Sequence, residues 1–259
     1  AYPWHAILLG YPVMAIWFFC TNQLIVQRAL GARDLDQAQK GCAFAAYLKI
    51  LTPILFVFPG VICAVLYPGL EDSDKAYATL VTGLMPVGMV GMVVAILMAA
   101  LISTINSQLN SLSTLFTMDV YTKFRRSEAS DRELTFVGRV VMAAGAVVAF
   151  VLSWGLSKVE GMDLFSLLQS IIAFMAPSMA VVFLAGVLWK RATPKAALTV
   201  LIGGNILSIG IGVCYLAQWP SGIEWPHFLL LSFYLFSALM VLMVIVSLVN
   251  VPVAEAKRL

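Results

Sequence analysis

Predominantly apolar stretches, each long enough to cross a lipid bilayer, constrain this chain more than any motif does. A spanning helix needs about 20 consecutive, mostly apolar residues. Seven stretches meet that length, at 6–26, 41–67, 82–106, 134–156, 164–189, 196–218 and 228–250. Strands of a membrane barrel would be about ten residues long with strict alternation, so the spans are helices. Charged residues make up 11% of the chain and hydrophobic ones 61%, whereas a water-soluble domain carries about 25% charged residues. The chain is predicted to be an all-α integral membrane protein.

The loops set its orientation. One class carries Arg28, Arg33 and Lys40; Lys123, Arg125, Arg126, Arg132 and Arg139; Lys190, Arg191 and Lys195; and Lys257 and Arg258, thirteen of the 16 basic residues. The opposite class has Lys75 and Lys158 beside Glu71, Asp72, Asp74, Glu160 and Asp163. Cytoplasmic loops are enriched in Lys and Arg, so the first class is cytoplasmic. Seven spans then put the N-terminus outside and the C-terminus, with the tail Glu255-Ala256-Lys257-Arg258-Leu259, inside. Ala1-Tyr2-Pro3-Trp4 has neither an initiating Met nor the charged start of a signal peptide, and reads as the entry into a longer polypeptide.

Several function classes are excluded. No basic stripe or motif supports nucleic-acid binding. Cys20, Cys42, Cys63 and Cys214 lack metal-site spacing and read as small apolar packing residues. His5 and His227 lie near span ends, in interfacial structural positions. No Ser/His/Asp set, intramembrane carboxylate pair or phosphate loop appears, which argues against a protease, a proton pump or any other enzyme.

Polar residues inside the spans are the candidates for function. Lys49 lies about nine residues into the second span, roughly 13 Å along a helix axis. It either reaches a polar cavity and a solute, or snorkels to the interface. Ser103 and Thr104 follow Ala99-Ala100. Together they can offer a hard cation two hydroxyl oxygens and a carbonyl, or serve as glue between helices. Gln169 is an uncharged donor and acceptor suited to a hydroxylated ligand or to an interhelical bond. Asn22, Gln23 and Gln27 cluster at the cytoplasmic end of the first span, where they hold helices together or, through Gln23, reach a solute. Trp17, Phe18 and Phe19 either pack or stack on a ring. In the third span Ser103, Asn106, Ser107, Asn110, Thr114 and Thr117 share one face, so this helix should leave the membrane amphipathic and continue into the cytoplasm. Pro12, Pro53, Pro59-Gly60 and Pro177 mark expected breaks within other spans.

Trp17-Phe18-Phe19-Cys20-Thr21-Asn22-Gln23-Leu24-Ile25-Val26-Gln27-Arg28, Tyr47-Leu48-Lys49, Phe58-Pro59-Gly60 and Ala99-Ala100-Leu101-Ile102-Ser103 resemble, in order, segments of the sodium/solute symporter family, which contains the sodium–glucose cotransporters. The run from Asn110-Ser111 to Asp119-Val120-Tyr121, the Gln169 region and Trp189-Lys190-Arg191 extend the resemblance over nearly the whole chain. It implies a LeuT-type inverted-repeat fold with binding between broken helices at the midplane. Residues 1–189 would be the second five-helix repeat, and 190–259 two peripheral helices with a short cytoplasmic tail. The first repeat is absent from this sequence.

The resemblance also implies roles. Na⁺ would be held by the Ala100 carbonyl, Ser103 and Thr104, with its other ligands on first-repeat helices. Lys49 and Gln169 would contact sugar hydroxyls. Ala15 stands where the sugar transporters carry a polar residue, Phe18 where they carry a gating tyrosine, and Phe19 in place of a tryptophan. The implied function is Na⁺-coupled symport of a sugar or related polyol by alternating access, across the cell (plasma or inner) membrane. Sialic acid, an amino acid or a vitamin as solute, or a symporter-like sensor, are the alternatives. The implied partners are the solute, the bilayer and the first-repeat helices.

Overall fold

The computed structural model describes residues 2–70, 72–125, 129–156, 158, 163–220 and 225–250. Ala1, Glu71, Arg126, Glu160 and the tail with Lys257 and Arg258 lie outside the described residues. In chain order the helices are α1 Trp4–Ile16, α2 Gln23–Leu30, α3 Leu35–Ile50, α4 Thr52–Leu66, α5 Ala76–Leu84, α6 Val87–Leu115, α7 Thr122–Arg125, α8 Asp131–Leu156, α9 Leu164–Leu188, α10 Pro194–Thr199, α11 Asn205–Leu216 and α12 Phe228–Val249. Wider π turns follow α1 (Trp17–Thr21), α6 (Phe116–Tyr121) and α10 (Val200–Gly204). Merged across these turns and kinks, seven stretches are long and apolar enough to cross a membrane. They match the seven expected spans.

Two expectations about where helices break need correction. Pro12, Pro59 and Pro177 stay inside α1, α4 and α9, and Pro53 sits in the first turn of α4. A proline deletes one backbone bond, a loss that a packed membrane helix tolerates. The breaks fall elsewhere. At Asn22 the backbone turns extended (φ −73°, ψ 118°). The Thr21 hydroxyl closes the preceding π turn by donating to the Trp17 carbonyl at 2.7 Å. Asn22 then restarts the helix: its Oδ1 accepts from the Leu24 N–H at 3.0 Å, and its carbonyl accepts from Val26. The expected span at 82–106 likewise begins only at Val87. Met85 is extended (φ −101°, ψ 142°) ahead of Pro86, because the proline ring disfavours helical geometry in the residue before it. The same stretch continues as helix through α6, the π turn and α7 to Arg125, 39 residues in all, longer than the about 20 a bilayer crossing needs.

Two packing units emerge. The first comprises Ala1–Gln27 and Leu164–Leu259. Its centre is α9, whose buried face is built from small residues such as Ser170, Ala173, Ala180 and Ala185 around Phe174 and Val181. Small side chains let membrane helices approach closely. One apolar core joins Ala6 and Met14 of α1, Phe174 of α9 and Leu229 and Leu235 of α12. A second joins Val181, Val200, Leu239 and Met243. The Ser178 hydroxyl donates to Asn205 Oδ1 at 2.7 Å, and Asn205 Nδ2 donates to the Leu201 carbonyl at 2.7 Å, which pins the π turn before α11 onto α9.

His227 caps α12 through Nδ1, which accepts from the Leu229 N–H at 3.3 Å, and burial holds its pKa below the usual histidine value. Only the neutral ring can accept that bond. The cap is therefore present above the ordinary histidine pKa of about 6.5 and is lost as pH falls through the lowered folded value. Thermal stability of the solubilised protein should drop on acidification. His227→Asn, a cap that does not titrate, should flatten the drop; an unchanged pH profile in that variant would refute the cap.

The second unit is Arg28–Asp163. Asp34 opens α3 by accepting from the Gln37 N–H at 2.8 Å. α6 and α8 meet where the Ser113 hydroxyl donates to the Gly138 carbonyl at 3.0 Å. At the end of that pair Glu133 accepts from the Tyr121 hydroxyl at 2.5 Å and from Arg125 Nε at 3.2 Å. Among the described residues every buried polar side chain is a serine or threonine, and no charged one is buried. This division by packing places α1 with the last three membrane stretches.

Candidate functional site

The first unit contains a cleft of about 580 Å³, within the size range of small-molecule sites. α1 supplies one wall and α9 the other. The α1 wall carries Tyr11, Ala15 and Phe18 at spacings of four and three, one face of a helix. The π turn inserts an extra residue into the pitch and brings Trp17, Phe18 and Phe19 all to the cleft. The Phe18 and Phe19 rings meet edge to face, 5.1 Å between centroids. The Trp17 indole is fixed from behind, its Nε1–H donating to Met179 Sδ at 3.1 Å. From α9 come Gln169 and, one turn on, Ile172.

Five of the candidate residues singled out in the sequence, Ala15, Trp17, Phe18, Phe19 and Gln169, therefore line one cavity. Gln23 does not; it is half-buried at the start of α2, past the Asn22 break. Lys49 belongs to the second unit, exposed in the last turn of α3. Tyr11 was missed. The signal was present, since Tyr11 lies one helical turn before Ala15 on the same face.

Ala100, Ser103 and Thr104 lie on the exposed surface of α6 in the second unit. The Thr104 hydroxyl donates to the Ala100 carbonyl at 2.9 Å, and the Ser107 hydroxyl donates to the Ser103 carbonyl at 2.9 Å. With its proton committed to the backbone, the Thr104 oxygen turns its lone pairs away from the helix. That arrangement suits an electron-pair acceptor. Among the described residues no cluster of His, Cys, Asp and Glu is arranged to hold a metal, and the oxygens that Ala100, Ser103 and Thr104 offer are neutral.

The model of the sodium:solute symporter family matches residues 1–204. Sodium/myo-inositol cotransporter 2 of Rattus norvegicus is 39% identical over 224 residues, covering 80% of this chain and 33% of that protein. A sodium/mannose cotransporter of Bos taurus is 41% identical over 227 residues, covering 80% and 37% respectively. Sodium/glucose cotransporter 1 of Oryctolagus cuniculus is 32% identical over 282 aligned positions, covering 98% of this chain and 42% of that protein. The chain spans about a third to two-fifths of the length of these curated relatives. Matched over most of its length by the family's own model, this chain belongs to the sodium:solute symporter family, a family of membrane transporters and not of enzymes.

Proposed function

We propose that this chain forms part of a Na⁺-coupled symporter for a sugar or related polyol, and that it supplies the aromatic and amide wall of the solute site. One observation carries the reading: Ala15, Phe18, Phe19 and Gln169 line a single cleft, where α1 widens into a π turn and then breaks at Asn22. Broken helices beside a midplane cavity are the way transporters of the LeuT type expose backbone to ligands. That motivates assigning 1–189 to a second inverted repeat and 190–259 to peripheral helices. Aromatic edges and faces suit the apolar side of a sugar or cyclitol ring, and Gln169 suits its hydroxyls. Lys49 is carried over as a second solute contact from the resemblance, and Gln23 lies outside the cleft wall. Na⁺ is assigned to the Ala100 carbonyl, Ser103 and Thr104. The loop charges favour an outside N-terminal end for this chain in a plasma or inner membrane. Relatives named for myo-inositol, mannose and glucose motivate the solute class.

The test is Na⁺-driven uptake by the full-length transporter in liposomes, with those three solutes offered. Gln169→Ala should raise the half-saturating solute concentration about tenfold, the loss of one or two hydrogen bonds, without altering Na⁺ activation. An unchanged solute dependence in that variant, or uptake of none of the three, would sink the proposal.

A further inference from the structure

We infer that Tyr11 is a specificity-determining residue of the solute site, its phenol hydroxyl acting with the Gln169 carboxamide to recognise two hydroxyls of a ring-shaped polyhydroxylated solute. This rests on the function proposed above. Both side chains line the same cleft, from α1 and α9. Among the described residues neither the Tyr11 hydroxyl nor the Gln169 carboxamide has a hydrogen-bond partner. Their polar neighbours are engaged: Trp17 Nε1 on Met179, and the Tyr2 hydroxyl with Ser166 Oγ at 3.0 Å. The rest of the wall, including Ile7, Pro12, Ala15 and Phe18, offers no side-chain hydrogen bond.

A phenol and a carboxamide at the wall of an apolar cleft, with no protein partner, lose free energy unless a ligand there bonds them. A few convergent polar groups in an otherwise apolar cavity are what orient a small ligand. With alanine at position 15 and phenylalanine at position 18, hydroxyl recognition from this face of α1 falls to Tyr11. The apolar wall beneath it fits the C–H face of a pyranose or cyclitol ring.

The experiment uses the full-length transporter in liposomes and whichever of myo-inositol, mannose and glucose it carries best, together with the monodeoxy analogues of that solute. Tyr11→Phe keeps the ring and its packing. It should raise the half-saturating concentration about three- to tenfold, as for one lost hydrogen bond, and leave the maximal rate and Na⁺ activation unchanged. One monodeoxy analogue should be bound more weakly by the native protein by a similar factor and equally well by Tyr11→Phe, because a site built to bond a hydroxyl rejects the analogue lacking it. If Gln169→Ala weakens binding while Tyr11→Phe does not, or if Tyr11→Phe discriminates among the analogues as the native protein does, this inference fails alone. If neither variant changes solute dependence, the cleft is not the solute site and the function proposal fails with it.

Discussion

Replacing Ser103 with alanine is expected to raise the Na⁺ concentration needed for half-maximal solute uptake by at least about tenfold, the effect of losing an oxygen bound to a full charge, about 1.5–3 kcal/mol. The Ala100 carbonyl and the Ser103 and Thr104 hydroxyls are all neutral oxygens. Each neutral oxygen then carries a large share of the binding. Thr104→Ser should behave almost as the native protein does, because it keeps the hydroxyl whose proton rests on the Ala100 carbonyl. Thr104→Val, of the same shape, should resemble Ser103→Ala. At saturating Na⁺ the half-saturating solute concentration should stay within about twofold of native in all three, since the cleft residues are untouched; a twofold change is well under 1 kcal/mol. Unchanged Na⁺ activation in Ser103→Ala, at normal surface abundance, would remove α6 from the cation site.

The seven spans were legible because the bilayer imposes a length on them: an apolar run of about 20 residues has few other uses. The interruptions were not. A hydropathy window averages across Met85–Pro86 and Asn22, and neither changes its value much. Asn22 breaks its helix through local bonds, an extended backbone and a side chain accepting from Leu24, and composition carries no trace of these. The prolines misled for the converse reason. Their helix-breaking tendency is real, but Pro177 is fully buried in the packed face of α9, and that packing outweighs one lost backbone bond.

The site was legible in part. Phe18, Phe19, Ala15 and Gln169 stood out by resemblance, and the cleft brings them together. Tyr11 carried only a weak signal, its place one turn before Ala15, because an aromatic residue in a span is ordinary packing until its hydroxyl is found without a partner. Lys49 and the Ser103 group reside in the other packing unit, so their roles rest on resemblance and on the chemistry of their oxygens and ammonium.

Gly10→Ala is expected to be among the most damaging single-methyl changes available in the first unit. A Cβ at Gly10 would lie 2.3 Å from the Leu229 carbonyl oxygen and 2.8 Å from its carbonyl carbon. These are backbone atoms in the first turn of α12, so no rotamer change relieves the overlap; α1 and α12 must separate. Separation would open the core formed by Ala6, Met14, Phe228 and Leu229. Ordinary overpacking costs about 1–3 kcal/mol, and loss of this seam should put Gly10→Ala at the upper end of that range or above it. Two other glycines provide the scale. At Gly204 the nearest atoms to a new Cβ are the Leu239 methyl carbons at 3.0 and 3.1 Å, the mobile end of a side chain, so Gly204→Ala should be mild. At Gly186 nothing lies within 4 Å, and alanine's better helix propensity, about 0.8–1.0 kcal/mol, should leave Gly186→Ala neutral or slightly stabilising. Melting of the three detergent-solubilised full-length variants, followed by size-exclusion fluorescence, measures the order. Shortening Leu229 to alanine in the Gly10→Ala background should not restore stability, since the obstacle is the carbonyl. Full rescue by Leu229→Ala, or a Gly10→Ala protein as stable as Gly186→Ala, would show that α1 and α12 do not approach backbone to backbone.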